Sequence, residues 1–257
     1  MTTFPAGPTS AGNAGLLWSV VKLDLRLQWR YGFFYAAAFS IALWEVMVLL
    51  IPQQLRQPAL PYIIFGDSVI IGFFFIAAAV FFEKGERTLF ALLTTPVRFG
   101  HYLTGKLATL SLVSLVAGLI LAAHGIATGG DPIGVLALKA ATLVTAIVLC
   151  TLLFLLCGLV TAAPFPSMTD WFMPSTLVIA ILNIPLLSYT GVWDHPLLYL
   201  LPTQGSLLLL GSAFDQLSLT TWQIWYALTY QILWVAALIM LARKAFNRYI
   251  VAKEGSQ

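Results

Sequence analysis

The residues able to do chemistry crowd into one short stretch of the chain. Glu83, Lys84, Glu86 and Arg87 stand together, and Arg98, His101 and Lys106 follow closely. Between these two groups, residues 88–97 carry Leu89, Phe90, Leu92 and Leu93, an amphipathic turn or two of helix that Pro96 would stop. A plain connection needs only a few polar residues. An acidic start, an apolar face and a basic end instead suit a short helix that lies on a surface and is presented to a partner. The plainer alternative is a basic anchor at a membrane surface with no other task. Gly100, Gly105 and Lys106 also reproduce most of a phosphate-loop spacing. Leu107 stands where a Ser or Thr hydroxyl should hold magnesium, however, and no strand precedes it. The chain is therefore not expected to bind ATP itself.

Other candidates are sparser. Glu45 and Asp67 lie within apolar runs, where charge is costly and usually faces the protein interior. Both sit about 8–9 Å below the same surface by helix rise, so they are placed to meet or share a partner. They could line a substrate path or gate, relay protons, or simply pair with Arg56 or Lys139. His124 has only Asp131, Asp194 and His195 as possible companions, and nothing there has metal-ligand spacing. No metal or catalytic residue is assigned. Phe73 and Phe74, beside Gly72, are expected either to line an apolar path or to face lipid. Asn183 with Pro185 breaks helix regularity and is a further path candidate, with helix packing the alternative. Cys150 and Cys157 would be about 10 Å apart on one helix, beyond disulfide reach, and read as small packing residues.

The elements that must position these groups follow from composition. Of 257 residues, 60% are apolar and 9% charged, against roughly 25% charged in soluble domains. A soluble fold of this length could not cover so much apolar surface. Six runs approach the about 20 apolar residues that a span needs: 31–51, 62–82, 107–127, 140–160, 171–189 and 222–241. They are expected to be helices, since lipid leaves no other partner for the backbone and the runs are too long for barrel strands. The formal charge of +3 is too small to point to nucleic acid. With the N-terminus inside, eleven Lys and Arg fall on the cytoplasmic side and two, Arg56 and Lys139, outside. Both termini are then cytoplasmic. Residues 1–15 read as a disordered cytoplasmic tail and 251–257 as a second tail around a single six-span domain, 16–250. Trp29, Tyr31, Tyr102, Trp171 and Tyr249 would mark the inner aromatic belt.

Two segments are neither spans nor simple loops. Residues 16–30 alternate in polarity from Val21, yet a lone strand at a membrane surface would leave its backbone unpaired. An interfacial helix is preferred, with Lys22, Arg26 and Arg30 on the headgroup side and Asp24 and Gln28 turned toward protein. Residues 193–214 are apolar but cut by Pro196, Pro202, Gly205 and Gly211. Pro202 argues against a straight span, and two short re-entrant helices before the sixth span fit better. No internal repeat is visible, which weakens an inverted-repeat carrier.

Residues 82–89 (FEKGERTL), 92–98 (LLTTPVR) and 102–106 (YLTGK) resemble the integral membrane type-2 permeases of bacterial ABC transporters. The likeness is nearest to drug-export permeases of the fluoroquinolone-exporter kind, and in layout it covers nearly the whole chain. It implies an all-α membrane protein with six transmembrane helices, an interfacial N-terminal helix, a coupling helix after span two within 83–101, and broken helices before span six. It further implies an exporter in the bacterial cytoplasmic (inner) membrane, built from two permease subunits (a homo- or heterodimer) and two separate ABC ATPase subunits that hold ATP and Mg. Multidrug efflux and antibiotic resistance belong to the same implication. By position, Glu83, Glu86 and Arg87 would begin the coupling helix, Thr95, Pro96 and Arg98 would lie near the ATPase, and Gly105 and Lys106 would open span three. Two competing readings remain: a proton- or sodium-coupled carrier using Glu45 and Asp67, and a non-transporting membrane anchor.

Overall fold

A computed structural model of the chain describes residues 10–86, 99–126, 132–193 and 195–251. All regular structure among them is helical: α1 (Ser10–Arg30), α2 (Phe33–Leu50), α3 (Gln53–Val69), a π-helical turn (Ile70–Phe75), α4 (Ile76–Gly85), α5 (Phe99–Ile126), α6 (Ile133–Ala162), α7 (Met168–Asn183), α8 (Pro185–Tyr189), a 3-10 turn (Pro196–Leu200), α9 (Pro202–Ala213) and α10 (Thr221–Phe246), which ends in a second π turn (Asn247–Val251). Six helices are long and apolar enough to cross a membrane: Phe33–Leu50, Gln53–Gly85, Phe99–Gly125, Ile133–Ala162, Met168–Tyr189 and Thr221–Tyr249. The chain is an all-α, six-span, multi-pass membrane protein.

The helices outrun the apolar stretches that announce them. The second starts at Gln53 and passes through Pro58 and Pro61, and the third starts at Phe99. Hydropathy marks the part suited to hydrocarbon, whereas backbone hydrogen bonding carries a helix on until a capping residue or a chain reversal stops it. For the same reason α1 takes in residues 10–15, expected as tail, because elongation from a formed helix costs little per residue. Gly32, at φ 79°, turns the chain between α1 and α2 in a conformation that glycine adopts without a Cβ penalty.

Spans two and four form the centre, with 78% and 67% of their apolar windows buried, against 22% for spans one and five and 17% for span six. Two glycines set their close approach. A Cβ at Gly158 would lie 2.5 Å from the Phe73 carbonyl oxygen, and one at Gly72 would lie 2.7 Å from Cβ of Phe154. The π turn that carries both Gly72 and Phe73 widens the helix where it meets α6.

Residues 195–213 fold into the 3-10 turn and α9, and α9 is buried along nearly all of its length. The carbonyls left open by the break at Pro202 find donors on α10. The Tyr226 hydroxyl donates to the Tyr199 carbonyl at 2.6 Å and the Tyr230 hydroxyl to the Leu200 carbonyl at 2.8 Å. Thr203 likewise donates to the Leu182 carbonyl at 2.6 Å, beside the break between α7 and α8.

Candidate functional site

Three residues at the end of span two, Glu83, Lys84 and Glu86, fasten it to three neighbours. Glu83 points inward and is 3% exposed. Its Oε1 lies 2.6 Å from Nζ of Lys106, and its Oε2 accepts from the Tyr102 hydroxyl at 2.7 Å. Lys106 also meets Oδ1 of Asp24 on α1 at 2.8 Å. The other Asp24 oxygen accepts from Thr109 and, at 2.7 Å, from the Gln28 amide. On α5, residues 102, 106 and 109 recur at helical spacing and so share one face. On α1, Asp24 and Gln28 are four apart and face them, as the amphipathic reading of 16–30 anticipated. A Cβ at Gly105 would fall 2.9 Å from Cγ1 of Val20, so a glycine there lets α1 lie close against α5.

The neighbouring residues tie other elements. Lys84 donates to the carbonyls of Ala162, Ala163 and Phe165 at 3.1, 3.0 and 2.9 Å. Those are C-terminal groups of α6 and the turn after it, where open carbonyls and the helix dipole both favour a cation. Glu86 faces outward, meeting Arg30 at 3.3 Å and accepting from the Tyr31 hydroxyl at 2.8 Å. Span two thus leaves the bundle held by α1, α5 and α6, directly before residue 87. Arg87, Thr95, Pro96 and Arg98, with the turn expected at 88–97, lie outside the described residues.

Electrostatically the inner cluster sets two carboxylates around one ammonium, with side-chain exposures of 3–7%. Such a group is held together by pairing and hydrogen bonds, and loss of one partner strands a buried charge. Lys106 does not open span three: Phe99 does, and Lys106 lies about two turns inside it. Since Gly100–Lys106 is helical and Lys106 is ion-paired, the phosphate-loop spacing there has no phosphate loop behind it.

The remaining candidates are dispersed. Glu45 and Asp67 do not share a partner. Glu45 lies 2.6 Å from Nε2 of His124, whereas Asp67, 1% exposed, accepts from Ser40 at 3.0 Å. Among the described residues, the contacts of Arg56 and Lys139 lie elsewhere. Arg56 donates to the Ile51 and Leu49 carbonyls at the end of α2, and Lys139 pairs with Asp215. Helix register explains the miss: equal depth in the bilayer does not put two side chains on facing helix surfaces. Phe73 is fully buried, stacked on Trp171 at 5.4 Å, and Phe74 meets the same ring edge-on at 6.0 Å. Trp171 belongs to this core and not to an interfacial belt, its indole N–H donating to Thr161 at 3.1 Å. Tyr102, too, is buried rather than interfacial. Asn183 donates to the Ile179 carbonyl of its own helix at 2.8 Å. Among the described residues, no three His, Cys, Asp or Glu side chains converge as a metal site requires.

Sequence reasoning singled out Glu83, Glu86 and Lys106 and turned Asp24 and Gln28 toward protein, but it joined neither Tyr102 to Glu83 nor Thr109 to Asp24, and it missed the capping role of Lys84. The available signals were the 102–106–109 spacing and the two polar residues on the protein side of α1.

The chain matches the fluoroquinolones export permease protein family over residues 15–254. Two relatives, the fluoroquinolones export permease proteins of Mycobacterium tuberculosis strains CDC 1551 / Oshkosh and ATCC 25618 / H37Rv, are each 45% identical over 238 residues, covering 91% of this chain and 96% of theirs. The chain therefore belongs to the fluoroquinolones export permease family, and it is a membrane permease, not an enzyme.

Proposed function

We propose that this chain is the membrane-spanning subunit of an ATP-driven ABC exporter, pairing with a second permease subunit and two ATPase subunits. Its cargo in this reading is an apolar or amphiphilic drug, as the relatives' name and the low charge of the spans support. The observation that carries the reading is the fastening of residues 83–86 to α1, α5 and α6. A push delivered to the segment that follows would reach three elements at once, as ATP-driven switching between access states requires. Glu83 and Lys106 act by holding that base rigid, while Glu86, Arg87, Thr95, Pro96 and Arg98 are the residues that would face or flank the ATPase.

The finer topology belongs to the same proposal. The Lys and Arg distribution supports cytoplasmic termini, and the bacterial relatives support a bacterial cytoplasmic membrane. Helix α1 then lies at the inner interface with Lys22, Arg26 and Arg30 toward headgroups. The turn and helix at 196–213 enter from the outer side, and the donors from Tyr226 and Tyr230 meet the need of a broken backbone at membrane depth. Glu45, Asp67, Phe73, Phe74 and Asn183 stay as candidates for gating or positioning of the cargo path.

The test is reconstitution of the chain in vesicles with and without an ATPase subunit that copurifies with it. ATP-dependent drug movement, lost in Glu86→Ala combined with Arg87→Ala while the bundle stays folded, is the expected result. Drug movement driven by a proton or sodium gradient without any ATPase would replace this reading with a secondary carrier. No movement under any condition, with the 83–98 segment tolerant of substitution, would leave a membrane anchor.

A further inference from the structure

A cleft of about 500 Å³ opens where α1, the start of α5 and the end of α10 meet. Its wall changes character along the bundle axis. On α10, Arg243 in the last turn stands at the mouth, and Ile239 lies one turn further in. Helix α5 runs the opposite way, with His101 near its start at the mouth and Leu107 further in. Four residues of helix rise about 6 Å, so both helices set polar groups at headgroup level and apolar ones roughly that much deeper. Leu17 of α1 extends the apolar part.

Among the described residues the charge at the mouth is one-sided. No Asp or Glu lines the cleft among the described residues, and Arg243 has no ion-pair partner there. Asp24 and Glu83, on elements that neighbour the cleft, are committed to Lys106. We propose that this cleft binds an anionic phospholipid. Its phosphate sits on the Arg243 guanidinium, whose fork of donors matches phosphate oxygens. The exposed Thr104 hydroxyl is the second donor, and the first part of an acyl chain lies on Leu107, Ile239 and Leu17. A free phosphate would fill only the mouth, and a zwitterionic lipid would bring the chain without net charge. Basic clefts between spans at a headgroup surface suit anionic lipids for this reason. Because α1 also supplies Asp24, the bound lipid would brace the same helix that completes the buried charge cluster.

The test uses the full chain, purified in detergent and stripped of lipid, with bound lipid read by native mass spectrometry. The probes are phosphatidylglycerol, phosphatidylcholine with the same chains, and inorganic phosphate. Phosphatidylglycerol should be retained in preference to phosphatidylcholine, and Arg243→Gln should weaken that retention by about fivefold, the effect of one basic residue at a headgroup. A Cβ at Gly100, another lining position, meets nothing within 4 Å, so Gly100→Leu has room for its first carbon, should crowd the cleft and should abolish the preference. Arg248→Gln removes a charge from the same end, outside the cleft, and should change little. Because the readout is binding in micelles, it holds or fails independently of orientation and export. Equal retention of the two lipids, or unchanged retention in both cleft variants, overturns the proposal. So does inorganic phosphate that competes the lipid away at equal concentration. Loss of ATPase docking in Gly100→Leu with lipid retention intact would make the cleft a protein-docking surface and overturn it as well.

Discussion

The two ends of the bundle hold their acids in opposite ways. At one end, Asp24 and Glu83 enclose Lys106, with Tyr102, Thr109 and Gln28 filling further positions, and the group joins α1, α4 and α5. At the other, Glu45 meets His124 alone, with side chains 23% and 30% exposed and Oε1 of Glu45 left without a protein partner. The first arrangement is over-determined: moving one helix breaks several charge-assisted bonds in a place that water barely reaches. The second is a single contact whose members can turn to water when parted, so opening it costs little. A bundle built this way is stiff at the end of span two and loose at the far end of spans one and three.

Substitutions that remove one charge at a time sharpen that contrast. Lys106→Ala should have the largest effect, since it strands two buried carboxylates, and about 3–5 kcal/mol of stability is expected to go. Thermal unfolding in detergent measures it, and a melt close to that of the unaltered protein would mean the cluster is wetter than its geometry implies. Asp24→Asn or Glu83→Gln should each cost less, about 1–3 kcal/mol, because one ion pair survives and the replacement amide still bonds. The neutral combination Lys106→Met, Asp24→Asn and Glu83→Gln should recover much of the Lys106→Ala loss, as removal of all three charges leaves none stranded. Failure to recover would point to packing around Lys106 instead of charge.

At the far end, Glu45→Gln or His124→Gln should cost at most about 1 kcal/mol in the same melt, given their partial exposure. A loss as large as that of Lys106→Ala would erase the distinction between the two ends. The smallest effect is expected for Glu86→Gln, whose pairing with Arg30 is 39% and 69% exposed, at about 0.5 kcal/mol or below. Glu83 and Glu86 are one helical turn apart in sequence and opposite in fate, and this pair of measurements separates them.

Much of the bundle was legible beforehand. Apolar length announced six helices, and the interruption at Pro202 announced a break that α9 and the 3-10 turn fill. The strict alternation after Val21 pointed to strand, yet 16–30 is helix, because an isolated strand has no ladder to join. Asp24 and Gln28 were already on the protein side of that helix, and so half of the charge cluster could be anticipated. Its completion could not, since Lys106 lies 82 positions from Asp24. Lys84 read as one more cytoplasmic base, and only the chain's return from α6 set three carbonyls beside it.

By itself the sequence determined what the chain lives in, how many times it crosses, and that residues 83–106 carry its densest charge. Those properties are sums over contiguous residues, and hydropathy and helix periodicity read them directly. Only the tertiary structure decided which of those charges face inward. It turned Glu83 into a buried anchor and left Glu86 outside, gave His124 to Glu45 and Ser40 to Asp67, and drew Phe73 off the lipid surface onto Trp171. The reason is physical. A helix fixes the spacing of its own side chains, but which face meets which neighbour depends on packing among helices far apart in the chain, and close approach at Gly72, Gly105 and Gly158 sets that packing here.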